Sequence, residues 1–146
     1  MQTERALALL SGIVDGSVAL SGGLAAGDVD AIARVGAAAL AGSRFDVART
    51  VFTGLAALEP KNARHLLHLG AVEHAAGQRD AALAALTRFL DADLARSSAD
   101  IAQALLLRAE VFGASDKAAA GLDLAAAKAL AARSSEAANV LRAVMP

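Results

Sequence analysis

The 146-residue chain has no cysteine, no tryptophan and no tyrosine, and its whole aromatic content is four phenylalanines. Without cysteine there is no disulfide, no thiolate nucleophile and no zinc–thiolate site, which suits a reducing compartment and a cytoplasmic protein. Proline is nearly absent as well. Pro60 and Pro146 are the only two, so little interrupts a helix. A core so poor in aromatics must be built from Ala, Leu and Val. With alanine abundant and β-branched residues sparse, an all-α fold is expected.

Neither charge sign dominates. Fourteen Lys and Arg against fifteen Asp and Glu leave a net charge of -1, and such a balance carries no electrostatic footprint for nucleic acid. No apolar run approaches the roughly 20 residues of a membrane-spanning helix. The longest candidate, Gly16 to Gly27, is bracketed by Asp15 and Asp28, and its Gly23-x-x-x-Gly27 spacing lacks an apolar span around it. The run Ala6 to Val14 has the length of a signal-peptide core. However, Glu4 offsets Arg5, Asp15 follows at once, and no A-x-A cleavage pattern is near. Membrane insertion and export by that route are not expected.

What the chain does contain is a repeat. Aligned on an earlier part of the chain, the stretch "LHLGAVEHAAGQRDAALAAL" sets Gly70 on Gly36, Leu69 on Val35, Leu66 on Ile32, Ala82 on Ala48 and Leu86 on Phe52. The differences 70−36, 82−48 and 86−52 are identical. That common step is the period of tetratricopeptide units, about 34 residues, each unit a helix-turn-helix. Small residues at Gly36 and Ala48, and at Gly70 and Ala82, would let paired helices approach to about 8–10 Å. Gly77 belongs to the turn, where a positive φ is often required. Ala39 against Glu73 and Phe45 against Arg79 are the poor matches in this alignment.

Helix signals follow the same frame. Asp28, Asp46 and Asn62 precede or open the first three helices, and Pro60 falls just past the second. A weaker third copy starts near Ala99. Setting Gly113 on Gly77 places Ala118 on Ala82 and Leu122 on Leu86, with Ser97-Ser98 absorbing the small excess in length. One of those serines would cap the following helix, and Ser115 the last helix of the unit. Thr3 to about Leu20 carries Leu9/Ile13 and Val14/Val18 at helical spacing, and Ser135 to Val144 carries Val140, Leu141 and Val144. Stacked repeats leave apolar end faces, which these two segments would cap. The expected organisation is an N-terminal helical arm over residues 1–27, about three tetratricopeptide units over 28–132, and a C-terminal capping helix over 133–146. The units would form a right-handed superhelix.

Residues that could carry chemistry are few. His65 and His68 are three apart on one helix face, a spacing that can chelate a metal, but no third ligand follows. There is no G-x-S-x-G elbow. Asp28/Asp30 and Asp91/Asp93 stand at helix boundaries, and Gly22-Gly23 follows no strand. No metal, no cofactor and no catalytic activity are therefore expected. What remains is a surface, since the first helices of stacked pairs line a concave face. The residues placed there are Ala33, Ala37, Leu40, Leu67, Ala71, His74, Leu107 and Val111, with core packing as the alternative role for the leucines.

The order of parts resembles the class II chaperones of type III secretion systems, which bind translocator proteins. The resemblance covers roughly Gly23 to Leu130. It rests on "GSRFDVARTVFTGLAALEPKNARHLLHLGAVEHAAGQRDAALAAL", similar to the family's small–aromatic turn, alanine, phenylalanine and LGA run, and on "GASDKAAAGLDLAAAKAL", similar to its third repeat. It implies a non-catalytic bacterial protein that keeps a membrane-inserting translocator soluble by burying a few apolar side chains in the groove. It also implies a possible homodimer through the N-terminal arm. A general tetratricopeptide adaptor and a needle-subunit chaperone of the same fold are the alternatives.

Overall fold

In the computed structural model, which describes residues 26–145, every regular element is helical. The chain runs through α1 (Ala26–Ala41), α2 (Phe45–Leu58), α3 (Arg64–Ala75), α4 (Arg79–Asp91), α5 (Ser98–Phe112), a 3₁₀ turn (Gly113–Asp116), α6 (Lys117–Ala131) and α7 (Ser135–Val144). The fold is all-α, as composition implied. The expected N-terminal arm and its glycine-rich loop, and with them dimerisation through that arm, lie outside the described residues. Asp28 does not precede the first helix; it lies in the first turn of α1 and is buried.

Packing follows chain order. α1 lies on α2, α3 on α4 and α5 on α6, while α2–α3 and α4–α5 contacts join the pairs and α7 rests on both α5 and α6. The first two pairs are built alike. Ala48, Val51, Phe52 and Leu55 of α2 are buried, and so are their counterparts one period further on, Ala82, Ala85, Leu86 and Phe89 of α4. The weak matches of the sequence alignment also coincide, because Ala39 and Glu73 are both buried while Phe45 and Arg79 both open their helices.

Turn geometry repeats with the same step. At the end of α1 the Arg44 amide donates to the Ala39 carbonyl (2.8 Å) and the Ser43 amide to Leu40 (3.0 Å); after α3, Gln78 donates to Glu73 (2.8 Å) and Gly77 to His74 (3.0 Å). This is the paired C-terminal motif that needs a left-handed residue at its pivot. Gly77 supplies it at φ +75°, as expected, and Ser43, a residue with a Cβ, is held there at φ +59°.

Close approach within a pair is present, but the partner differs from expectation. A Cβ on Gly70 would lie 2.6 Å from Leu86 Cδ2 and 2.7 Å from Cγ, and one on Gly36 would lie 2.7 Å from Val51 Cγ1 and 2.9 Å from Phe52 Cζ. The glycines make room for the large side chains at positions 52 and 86, not primarily for Ala48 and Ala82. The first pair thus packs around Ile32, Val51, Phe52 and Leu55 with Val72 of α3 added; the second packs Leu67, Leu86 and Phe89 with Ala104 and Val111 of α5.

The third pair departs from the alignment. Leu122, expected at the site of buried Leu86, is 72% exposed. Gly113 does take positive φ (+49°), and 113−77 is 36, but α6 starts at Lys117, and 117−79 is 38. The 3₁₀ turn lengthens the path between the pivot and the helix, so Asp123, Leu124 and Ala127 face inward in place of Ala118 and Leu122. For the same reason Asp116, not Ser115, caps α6, accepting from the Ala119 amide at 3.0 Å. Ser97 caps α5 as expected, accepting from Asp100 at 3.1 Å. No glycine closes this pair. Its link is Arg108, which donates to both Asp123 oxygens at 2.8 and 2.7 Å and to Thr87 Oγ1 at 3.2 Å, tying α4, α5 and α6 together. On α7, Ala137, Val140 and Leu141 face the core, whereas Val144, expected beside them, is exposed.

Two outcomes follow for stability. Gly70→Ala is expected to destabilise by about 1–3 kcal/mol despite alanine's better helix propensity, whereas Gly121→Ala, with open space around it, should stabilise by up to about 1 kcal/mol. Ser43→Gly should relieve the left-handed strain and gain about 0.5–1 kcal/mol net of the unfolded-state cost. Urea denaturation of the variants checks both. An unchanged midpoint for Gly70→Ala would contradict the packing.

Candidate functional site

α3 and α5 lie side by side in a fixed register. Arg64 Nε stands 3.1 Å from Asp100 Oδ2, and His74 Nε2 stands 3.6 Å from Glu110 Oε2. Both pairs span the same step, since 100−64 and 110−74 are each 36, so the two helices run in the same direction. The first helices of the second and third pairs therefore lie side by side.

The solvent-facing rows of that side follow helical spacing of four, three and four residues. On α1 the row is Asp30, Arg34, Ala37 and Ala41, all exposed. On α3 the equivalent row, one period on, is Arg64, His68, Ala71 and Ala75, with His68 and Ala71 half-buried. On α5 the exposed Gln103 and Glu110 flank half-buried Leu107.

Three of the eight residues placed on the surface from sequence, Ala37, Ala71 and Leu107, belong to these rows, with Leu107 also packed half-buried against the second core. His74 sits at the α3–α5 seam, joined to Glu110. Ala33 and Leu40 pack half-buried against the first core. Leu67 and Val111 are core residues, 2% and 8% exposed, and offer no surface. The physical reason lies in helix geometry: Leu67 is three residues from Gly70 and so shares the face that meets α4. Sequence reasoning missed Arg64, His68, Gln103 and Glu110. The signal was present, because the step that relates Gly36 to Gly70 also relates Asp30 to Arg64 and Arg34 to His68.

The resulting face is small and polar, with alanine steps between charged side chains and His68 turned onto α2. His68 rests on Phe52, ring centroids 4.9 Å apart, and His65 is buried with Nε2 2.7 Å from Glu59 Oε1. The two histidines are thus committed to packing against α2. Among the described residues no group of three or more His, Cys, Asp or Glu side chains converges as a metal site would. A cleft of about 470 Å³ lies where the α2–α3 and α4–α5 connections meet the start of α7, lined by Asn62, Arg64, Arg96, Ser97, Asp100 and Glu136. Arg64, Asp100 and Arg96 of its lining are already engaged. Arg64 holds Asp100, and Arg96 donates to the carbonyls of Phe89 (2.7 Å), Leu90 and Leu94 (3.2 Å), closing the C-terminus of α4.

Electrostatics separate these groups. Burial, reinforced by the nearby Arg64 and His65, pushes the His68 pKa below its ordinary 6.5. Hydrogen bonds to Asp123 and Glu73 raise Arg108 and Arg49 above their ordinary values and keep them charged.

For His68 the sign is fixed by linkage: the unfolded chain takes up the proton first. Its contribution to stability is present above pH 6.5 and is lost as the pH falls toward the lowered folded value. Proton NMR titration should give a His68 midpoint below 6.5, and His68→Gln should flatten the acid-side fall in melting temperature. A midpoint at or above 6.5 would contradict the burial. No protein-family model matches the chain, no curated protein matches it, and no solved structure matches it.

Proposed function

We propose that the chain is an array of about three tetratricopeptide units, wound as a right-handed superhelix and capped by α7, that binds another protein along the rows of α1, α3 and α5 without catalysing a reaction. The observation that supports this reading is the recurrence of one packing scheme at a constant step along the chain. The buried set of α2 reappears in α4, the turn bonds reappear, and the glycine gap at Gly36 reappears at Gly70.

The client in this proposal is a secretion translocator, held soluble in the bacterial cytoplasm. An apolar segment bound for a membrane aggregates in water, and burying part of it offsets that at about 25 cal/mol per Å² of apolar area. Ala37, Ala41, Ala71, Ala75 and Leu107 are the apolar positions of the face. A second reading is favoured by what surrounds them. Arg64, Gln103 and Glu110 present charge and hydrogen bonds, which fits an adaptor for a polar segment of a folded partner.

Affinity purification from the native host, with mass spectrometry of bound proteins, separates the two. A stoichiometric partner carrying membrane-spanning segments, and insoluble without this chain, is the expected result. A set of soluble, independently folded partners would overturn the chaperone reading and leave the adaptor. Ala71→Glu should abolish capture of the client while leaving helicity by circular dichroism intact. Undiminished capture would remove the α3 row from the binding face.

A further inference from the structure

Along the chain, two seams join the three pairs, α2 on α3 and α4 on α5, and they differ in chemistry. The α2–α3 seam is ionic. Glu73, buried on α3, bonds Arg49 of α2; His65, also buried, places Nε2 2.7 Å from Glu59 Oε1 just past α2; and His68 rests on Phe52. The α4–α5 seam is its counterpart, with 86−52 giving a step of 34 for the second helices and 113−77 a step of 36 for the first. Those steps put Leu83 in the place of Arg49, Ile101 in that of His65, Ala104 in that of His68 and Ala109 in that of Glu73. Leu83, Ile101 and Ala104 belong to the second core, and Ala109 is buried. Arg108 adds a charge there through its bond to Thr87, but a guanidinium does not titrate in any moderate pH range.

We propose that the α2–α3 seam is an acid-sensitive joint: protonation of His68 parts α3 from α2, and α1–α2 swings away as a unit while the α4–α5 seam stays shut. In the closed seam a second proton on His68 finds no acceptor. Its Nδ1 is buried without a partner, and so is Nδ1 of His65 one turn earlier. A neutral imidazole tolerates this, with the proton on Nε2 and a lone pair on Nδ1. An imidazolium carries N–H on both nitrogens, and the buried one would lose its hydration with nothing in return. The surrounding charges add to the cost. Arg64 and His65 on α3 oppose a charge on His68, whereas Asp100 of α5, itself bound to Arg64, favours it to a smaller degree. α2 and its C-terminal turn bring Arg49 and Glu59, each already bound across the seam, and α4 meets the other, Gly70 side of α3. Once the seam opens, the ring is hydrated and titrates at its ordinary 6.5. Falling pH then favours the open form by up to about tenfold per pH unit, until the lowered closed-state value is passed. Opening bares Val72, fully buried when closed, and Leu69 beside it, so acid exposes apolar surface between the first and second pairs.

Because the chain has no cysteine, a single thiol can report on each seam. Val72→Cys in the α2–α3 seam and Ala104→Cys in the α4–α5 seam are labelled with a thiol-specific reagent between about pH 7.5 and about pH 5.5. Each rate is divided by that of Ala126→Cys, at an exposed α6 position, which cancels the change in thiolate with pH. The Val72→Cys ratio is expected to rise at least about threefold on acidification, the Ala104→Cys ratio to stay constant, and His68→Gln to remove the rise. A constant Val72→Cys ratio overturns the proposal. So does an equal rise at Ala104→Cys, which would mean loosening of the whole stack, and so does a rise that survives His68→Gln, which would assign it to another group. Should Val72→Cys lose helicity, spin labels at Thr53→Cys and Arg88→Cys, exposed on α2 and α4, decide. A distance between them that lengthens in acid, but not with His68→Gln, supports the joint, and a distance independent of pH overturns it.

Discussion

The missing Cβ at positions 36 and 70 is the constraint on which the first two pairs depend. Each glycine sits where a methyl group would enter the van der Waals volume of buried side chains, Val51 and Phe52 in one pair and Leu86 in the other. Given that gap, α1 settles on α2 and α3 on α4. The same four positions of the second helix then turn inward each time. The cost of glycine in a helix interior, about 1 kcal/mol relative to alanine, is offset by the burial it permits. From this follow the register of the turns and the placement of Val72 against the first pair and Ala104 against the second.

The third pair shows what happens when the glycine constraint is absent. α5 and α6 meet through the buried Arg108–Asp123 pair, whose two parallel hydrogen bonds fix both distance and rotation. Thr87 adds a contact from α4, so the ion pair also connects the third pair to the second. Pairing and hydrogen bonding of this kind are what allow an arginine and an aspartate to be taken out of water together. α7 then shields Leu105, Leu106 and Ala127 at the end of the stack.

Much of this was legible in the sequence, for identifiable reasons. Helix content follows from alanine abundance, and the first two pairs follow from a period that Gly36, Gly70 and the large apolar residues opposite them obey. The boundaries of α7 were readable from Ser135 and the apolar spacing up to Val144. Legibility failed where a local insertion broke the frame. The 3₁₀ turn after Gly113 shifts α6 along the alignment and so changes which of its residues point inward, leaving Leu122 in solvent and Asp123 buried. No composition argument reveals that shift. The surface was misread for a different reason. Leucines attract attention as binding residues, yet Leu67 is held by the core on the Gly70 side, and the exposed rows are made of Arg64, Gln103, Glu110 and alanine.

The central claim, that one glycine gap sets the spacing of each pair, is tested most directly by a double-mutant cycle. Gly70→Ala and Leu86→Ala are made singly and together, with Gly36→Ala and Leu86→Ala as the distant control. If the gap exists to seat Leu86, trimming that side chain relieves the clash. The double variant should then be more stable than the sum of the single losses by at least about 0.5 kcal/mol, while the control pair adds. Strict additivity between positions 70 and 86 would contradict the account.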